Sequence, residues 1–227
     1  MRFEFGAYGP LQIRTERIEM NLPAPLRLLY ASDLHLGHRW TKTVPAQLIA
    51  AATETRPDRI LLGGDLVDRT KALPELGDLV AALIRAAPVG AIPGNHDVRL
   101  GAESVRSAVC EAGGTWLPDQ PVDGPVRIDG SILESARRPR ILCAHDPADF
   151  PAAVAAGYDL VFAGHLHGGQ CVLANRHAKQ YPAVWFHRWH GLRFASGSSR
   201  MLVSRGAADT FPLRVNCPRE VILCELF

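Results

Sequence analysis

Seven side chains in this sequence can offer a metal ion oxygen or imidazole nitrogen from short polar clusters, with no thiolate among them: Asp33, His35, Asp65, Asn95, His145, His165 and His167. A mixed oxygen and nitrogen set suits manganese, iron or zinc, whereas magnesium prefers an all-oxygen shell. Seven donors exceed the needs of one tetrahedral ion. They fit two ions sharing a carboxylate, a pair ~3.5–4 Å apart of the kind used for in-line displacement at phosphorus. Such a pair would lower the pKa of a shared water toward neutrality and draw charge from phosphoryl oxygens. A nearby imidazole could protonate the leaving alkoxide, a contribution of ~10²–10⁴-fold.

The elements around these residues are of the kind needed to aim them. An apolar run from Leu26 to Ser32 reads as a buried strand and ends on Asp33-Leu34-His35. Strand 59–62 runs into Gly63-Gly64-Asp65, and strand 89–92 into Pro93-Gly94-Asn95-His96-Asp97. Strand 140–144 ends at His145, and strand 159–163 at Gly164-His165-Leu166-His167. Helices are expected over 42–55, over 74–87 with Pro74 in its first turn, and over 102–112. Further strands are expected over 2–5, 11–20, 170–174, 184–187, 192–196, 200–205 and 220–226, with extended pieces near 115–117 and 125–133. Strands alternating with helices, followed by a run of strands, indicate an α/β core with antiparallel additions. Ligands bind beyond the carboxyl ends of strands in such sheets, so five strands would aim Asp, Asn and His at one crevice. A single D-x-H or G-H-x-H is within reach of chance; five clusters in order, each at a strand end, are not.

Composition sets outer limits. The 227 residues, 47% hydrophobic and 21% charged, suit one soluble domain over 1–227, with N-terminal strands in 1–25 and a catalytic core in 26–227. A net charge of +2 lacks the strong basic field of a dedicated nucleic-acid binder, so nucleic acid stays open but disfavoured. The five cysteines form no C-x-x-C pair, which argues against a zinc ribbon or redox pair. Cys143, Cys171 and Cys224 lie in apolar runs and read as core residues in a reducing compartment. No signal-type segment and no stretch of ~18 apolar residues is present, so a cytoplasmic protein without a membrane span is expected.

D-x-H at 33–35, G-D-x-x-D at 64–68, G-N-H-D at 94–97, His145 and G-H-x-H at 164–167 together resemble the signature of the calcineurin-like metallophosphoesterases. The stretches 144–150 and 164–170 and the ending at 202–206 and 217–221 are similar to the bacterial branch of small phosphohydrolases. The resemblance implies a four-layer α/β/β/α sandwich of two mixed sheets flanked by helices. It implies two divalent ions, manganese first with iron or zinc as alternatives. Asp33, His35 and His167 would hold one ion, Asn95, His145 and His165 the other, and Asp65 would bridge them. His96 would be the general acid, oriented by Asp68. The implied substrate is a small or lipid-linked phosphate mono- or diester. A nuclease of the same fold and a non-catalytic protein-binding scaffold are the rival readings, though a scaffold is free to lose ligands and none is missing. G-N-H-D stands where the lipid A pathway hydrolases of the family show Arg in place of His, which ranks that substrate lower.

Other positions leave alternatives open. Gly63, Gly64, Gly94 and Gly164 read as turn glycines or as places of close approach to a phosphate. His38 and Arg39 would face the substrate or lie in a solvated loop. Gly168-Gly169-Gln170 would touch substrate or make a turn. The aromatic and basic segment 185–190 would pack in the core, stack on a base or sugar, or dock a partner. His177 is expected at the surface.

Overall fold

The computed structural model describes residues 1, 3–135, 139–176, 179–182 and 187–227. In chain order the first half comprises β1 (Phe3–Phe5), β2 (Gln12–Ile18), β3 (Leu26–Ala31), α1 (Val44–Thr55), β4 (Arg59–Gly63), α2 (Leu73–Ile84), β5 (Val89–Ile92), α3 (Asn95–Glu111) and β6 (Thr115–Trp116). Then follow β7 (Arg127–Asp129), β8 (Arg140–Cys143), α4 (Phe150–Ala155), β9 (Leu160–Ala163), β10 (Val172–Arg176), β11 (Lys179–Pro182), β12 (Arg193–Ser196), β13 (Ser199–Val203), β14 (Leu213–Val215) and β15 (Glu220–Leu226).

Two mixed sheets face each other. One has the order β2-β15-β3-β4-β5-β6, the other β12-β13-β9-β8-β7. The strands that carry the candidate ligands run parallel within their sheets: β3, β4 and β5 in one and β8 and β9 in the other. Their continuous apolar runs are explained by burial on both faces. Leu28, Tyr30 and Leu61 meet Ile141, Cys143, Leu160 and Phe162 between the sheets, and Tyr30 stacks on Phe162 at 5.0 Å between ring centroids. The alternate residues Leu29, Ala31, Ile60 and Leu62 pack against α1, α2 and α3. Leu142, Ala144, Val161 and Ala163 pack with Phe150 and Ala153 of α4. The layers are therefore helix, sheet, sheet, helix, as expected. Each buried Leu or Phe in these interfaces contributes ~1.5–3 kcal/mol.

Local chemistry ends the helices where the chain must turn. α1 starts with Pro at its first turn and stops at Arg56, whose left-handed φ of 45° lets its N–H reach the Ala52 carbonyl. α3 is two helical segments that meet at Gly101, the second being the helix expected over 102–112 and the first a turn that begins at Asn95. Gly94 is its N-cap, and the Asp97 carboxylate accepts the Gly94 N–H at 2.8 Å. This acidic cap sits on the first turn, and Gly101, whose φ of 114° breaks the helical run, follows it. β11 and β14 were not expected. The expected strand at 184–187 falls largely outside the described residues, and His177 lies outside them too.

Candidate metal centre

The chain after β3 and the chain after β4 stay hydrogen-bonded beyond their strands. Asp33 N donates to Gly64 O (2.9 Å), His35 N to Asp65 O (3.0 Å), and Asp68 N to Leu36 O (3.0 Å). To keep that ladder while turning side chains inward, residues take left-handed backbone. Of nine non-glycine residues with positive φ among the described residues, five are candidate ligands: Asp33, His35, Asp65, His165 and His167. Such conformations cost of order 1 kcal/mol or more each and persist where the surroundings fix them. Gly94 is required beside them, because a Cβ there would overlap the amide and carboxylate of Asp65.

All seven candidate ligands converge. Donor atoms of Asp33, His35 and His167 lie within 4.8 Å of one another, as do those of Asp65, His145 and His165. Asn95 Oδ1 is 3.2 Å from His145 Nε2. Asp65 lies between the groups, with Oδ2 3.3 Å from His145 Nε2 and 4.0 Å from His35 Nε2. His35, Asp65 and His96 make a third group that joins the other two.

Three of the four candidate imidazole ligands have an outer nitrogen already engaged. His145 Nδ1 donates to Gly63 O at 2.9 Å. His35 Nδ1 donates to Asp68 Oδ1 at 2.9 Å. His167 Nδ1 meets Asp209 Oδ1 at 2.9 Å and Ala208 O at 3.0 Å. With those outer protons in place, the inner nitrogens of His35, His145 and His167 are the ones left to face a ligand. His35 Nε2 faces His167 Nε2 at 3.3 Å, and His145 Nε2 faces His165 Nδ1 at 3.3 Å. In the neutral rings these inner nitrogens present lone pairs that a cation between them would take up, whereas without a cation Asp65 and Asp33 hold a proton on His145. The residues therefore fit divalent ions.

Electrostatics agree with the geometry. Burial disfavours ionised Asp65, but its hydrogen bond to His145, the His96 N–H and the charge of His35 outweigh burial and hold the carboxyl well below the usual range. Burial likewise disfavours charged His145, yet Asp65 and Asp33 push it up to about 9. A site that raises an imidazole so far has a negative potential that attracts cations.

Asp68 does more than the sequence suggested. It meets His96 Nδ1 at 2.8 Å as expected, and it also takes His35 Nδ1 and His38 Nε2, the latter at 2.8 Å. His38 is thus neither a solvated loop residue nor free to face substrate, and its ring stacks on Trp40 at 4.4 Å. Arg39 is exposed. Gly168, Gly169 and Gln170 form a run of positive φ, and Gln170 Nε2 bonds Phe211 O at 2.8 Å, which favours the turn. In the aromatic segment, Trp189 packs edge-on against Phe150 and Phe194, which favours core packing for its described part. Cys143 and Cys224 are buried as expected, while Cys171 is half-buried.

Three contributions were missed, those of Asp209, Arg214 and Asp97. Asp209 holds His167 and is itself gripped by Arg214, Nε to Oδ2 at 2.6 Å and Nη2 to Oδ1 at 2.7 Å. Asp97 accepts Leu66 N and Val67 N at 3.0 and 3.1 Å, tying the start of α3 to the Asp65 loop. The place of Asp97 in G-N-H-D was a visible signal; Asp209 and Arg214 had none.

A family model described as calcineurin-like phosphoesterase matches residues 26–169. "Phosphodiesterase YaeI" of Escherichia coli is 30% identical over 89% of this chain and 83% of its own length. A metallophosphoesterase of Helicobacter pylori is 26% identical over 90% of this chain, which spans only 60% of that relative. The crystal structure of TT1561 of Thermus thermophilus overlaps 84% of this chain and 94% of its own with a TM-score of 0.49 at 13% identity.

Proposed function

Because this chain belongs to the calcineurin-like phosphoesterase family, we propose that it hydrolyses phosphate mono- or diesters with two bound divalent ions. Asp33, His35 and His167 would hold one ion and Asn95, His145 and His165 the other, with Asp65 shared between them. Manganese is the expected metal, with iron or zinc as alternatives. Bound there, the ions would generate a nucleophile from water at neutral pH and withdraw charge from the phosphoryl oxygens. The observation that carries this reading is the two close pairs of imidazole nitrogens, His35 with His167 and His145 with His165, each 3.3 Å apart, with His35, His145 and His167 held by outer acceptors.

The protein's own groups supply the rest. Asp65 stays anionic at neutral pH for the reasons given and offers oxygens to both halves of the site. His96 gives Nδ1–H to Asp68 at 2.8 Å, and its side chain is 29% exposed, so Nε2 can reach a substrate. The Asp68 carboxylate stabilises the imidazolium, which donates its Nε2 proton to the leaving alkoxide and regains one from solvent. A cavity of about 450 Å³ adjoins Asn95, His145 and His165, walled by Ile92, Val98 and Ile132. Among the described residues it is lined by Asp146 and Asp149 and by no lysine or arginine. That lining suits an apolar ester group and argues against a polyanionic strand, so the nuclease reading stays second. Five free thiols suit a reducing compartment, and the cytoplasm is the proposed one.

The test is hydrolysis of bis(p-nitrophenyl) phosphate by manganese-loaded protein. Chelation abolishes it, and manganese restores it better than magnesium. Near-wild-type metal content and turnover in Asp65→Ala would overturn the bridging assignment.

A further inference from the structure

Strand β1 reads Phe3-Glu4-Phe5, and its polarity is reversed. Phe3 and Phe5 are 66% and 64% exposed, while Glu4 between them is 7% exposed and takes Arg219 Nε at 2.7 Å. Its partner β14 repeats the reversal. Arg214 is 2% exposed and clasps Asp209, whereas Leu213 beside it is 40% exposed. The antiparallel register sets Glu4 opposite Arg214, Phe3 opposite Val215 and Phe5 opposite Leu213. Directly opposed residues share a face, so the inner face is charged and the outer one apolar. Phe211 and Tyr8, also largely exposed, flank it. Of ten large hydrophobic residues exposed among the described residues, six lie here: Met1, Phe3, Phe5, Tyr8, Phe211 and Leu213.

A ribbon facing water alternates the other way, and contiguous exposed apolar patches mark interaction surfaces. Charge selects the occupant. Residues 1–10, 36–43 and 209–216 contain only Glu4 and Asp209 as acids, and both are turned inward onto arginines. Among the described residues of these segments, the exposed charged side chains are Arg39 and Lys42. Their short turn is fastened to it by Tyr8 Oη donating to Arg39 O at 3.2 Å and Trp40 Nε1 to Asp209 O at 2.9 Å. A second copy of this face would set cation against cation. Aromatic side chains with basic neighbours and, among the described residues of these segments, no exposed carboxylate match an anionic headgroup layer over hydrocarbon.

We infer that the outer face of the β1–β14 ribbon docks on the surface of an anionic phospholipid bilayer. The docking stands without the hydrolase reading. On the inner side of the same ribbon, Arg214 clasps Asp209, which holds His167. The docking face and the metal centre therefore lie on opposite sides of one two-stranded layer.

Vesicle flotation tests it, with phosphatidylcholine alone and with phosphatidylcholine containing phosphatidylglycerol. The full chain floats with the anionic vesicles, and salt weakens the binding. Phe3→Ser/Phe5→Ser/Phe211→Ser lowers the bound fraction about tenfold or more, with hydrolysis of soluble bis(p-nitrophenyl) phosphate unchanged. Arg39→Ala/Lys42→Ala lowers binding severalfold on anionic vesicles only. The inference is overturned by wild type that stays unbound, by a triple serine variant that floats like wild type, or by a vesicle-free dimer that the triple variant dissociates. Flotation without hydrolysis would leave the docking intact and remove the hydrolase reading instead.

Discussion

Replacing Asp68 should separate two roles that one carboxylate combines. Its Oδ1 accepts His35 Nδ1 and His96 Nδ1, and its Oδ2 accepts His38 Nε2, all within 2.9 Å. Hydrogen bonds to a charged partner are worth ~1.5–3 kcal/mol each. His35 is fully buried and His38 only 13% exposed at the side chain, so two of the three count nearly in full. Asp68→Ala should therefore cost ~3–5 kcal/mol of stability. Asp68→Asn can keep an oxygen toward His35 and His96 and turn its amide toward His38. His38 Nδ1, buried without a partner, is free to take the displaced proton, so Asn should cost only ~1 kcal/mol. Both variants lose the negative charge behind His35 and His96. Manganese affinity should fall ~10–100-fold in each, and turnover at saturating manganese should fall as well. Urea unfolding of chelated protein, manganese titration calorimetry and kcat at saturating metal are the three readouts. Equal destabilisation by Ala and Asn, or wild-type affinity and turnover in Asp68→Asn, would refute the reasoning.

His96→Ala should retain both ions and lose ~10²–10⁴-fold in turnover; loss of one ion instead would make His96 a ligand, which its closeness to His35 and Asp65 makes a real alternative. Asp209→Ala should cost ~3–5 kcal/mol in urea unfolding, because it strands buried Arg214, and should weaken metal binding through His167. Gly94→Ala should give protein that binds no metal, measured by elemental analysis of whatever remains soluble. In chelated protein, Asp65, Asp68 and Asp209 are all depressed in the fold, so their stability is present above pH ~4 and lost as pH falls through the folded values. His145, raised to about 9, contributes stability that is full below pH ~6.5 and lost as pH rises through 9. Calorimetry of chelated protein should thus show Tm falling from pH ~6.5 to 9, while manganese affinity rises over the same range as the imidazoles deprotonate.

The parts legible in the sequence are those where period and position coincide. β3, β4, β5, β8 and β9 are apolar but for Arg27, Arg59 and Arg140 near the strand starts, because both their faces are covered, and each ends where polar residues begin. The start of α3 was not legible, since Asn95, His96 and Asp97 look like loop chemistry and Gly101 interrupts the helical spacing. β14 escaped notice because three residues carry too little alternation, and theirs is reversed by the buried Arg214. Asp209 was invisible for another reason: it reaches His167 across 42 positions of chain through the β14 ribbon, and no local pattern records such a pairing. His38 had a pattern but two readings, which only the position of Asp68 could separate.

Two close ions joined through Asp65 remain the proposition on which the chemistry rests. Anomalous diffraction from manganese-soaked crystals measures it most directly. Two peaks ~3.5–4 Å apart, with the Asp65 carboxylate between them and His35 and His145 on opposite sides, are expected. One peak, or two peaks with Asp65 touching neither or only one, would contradict it.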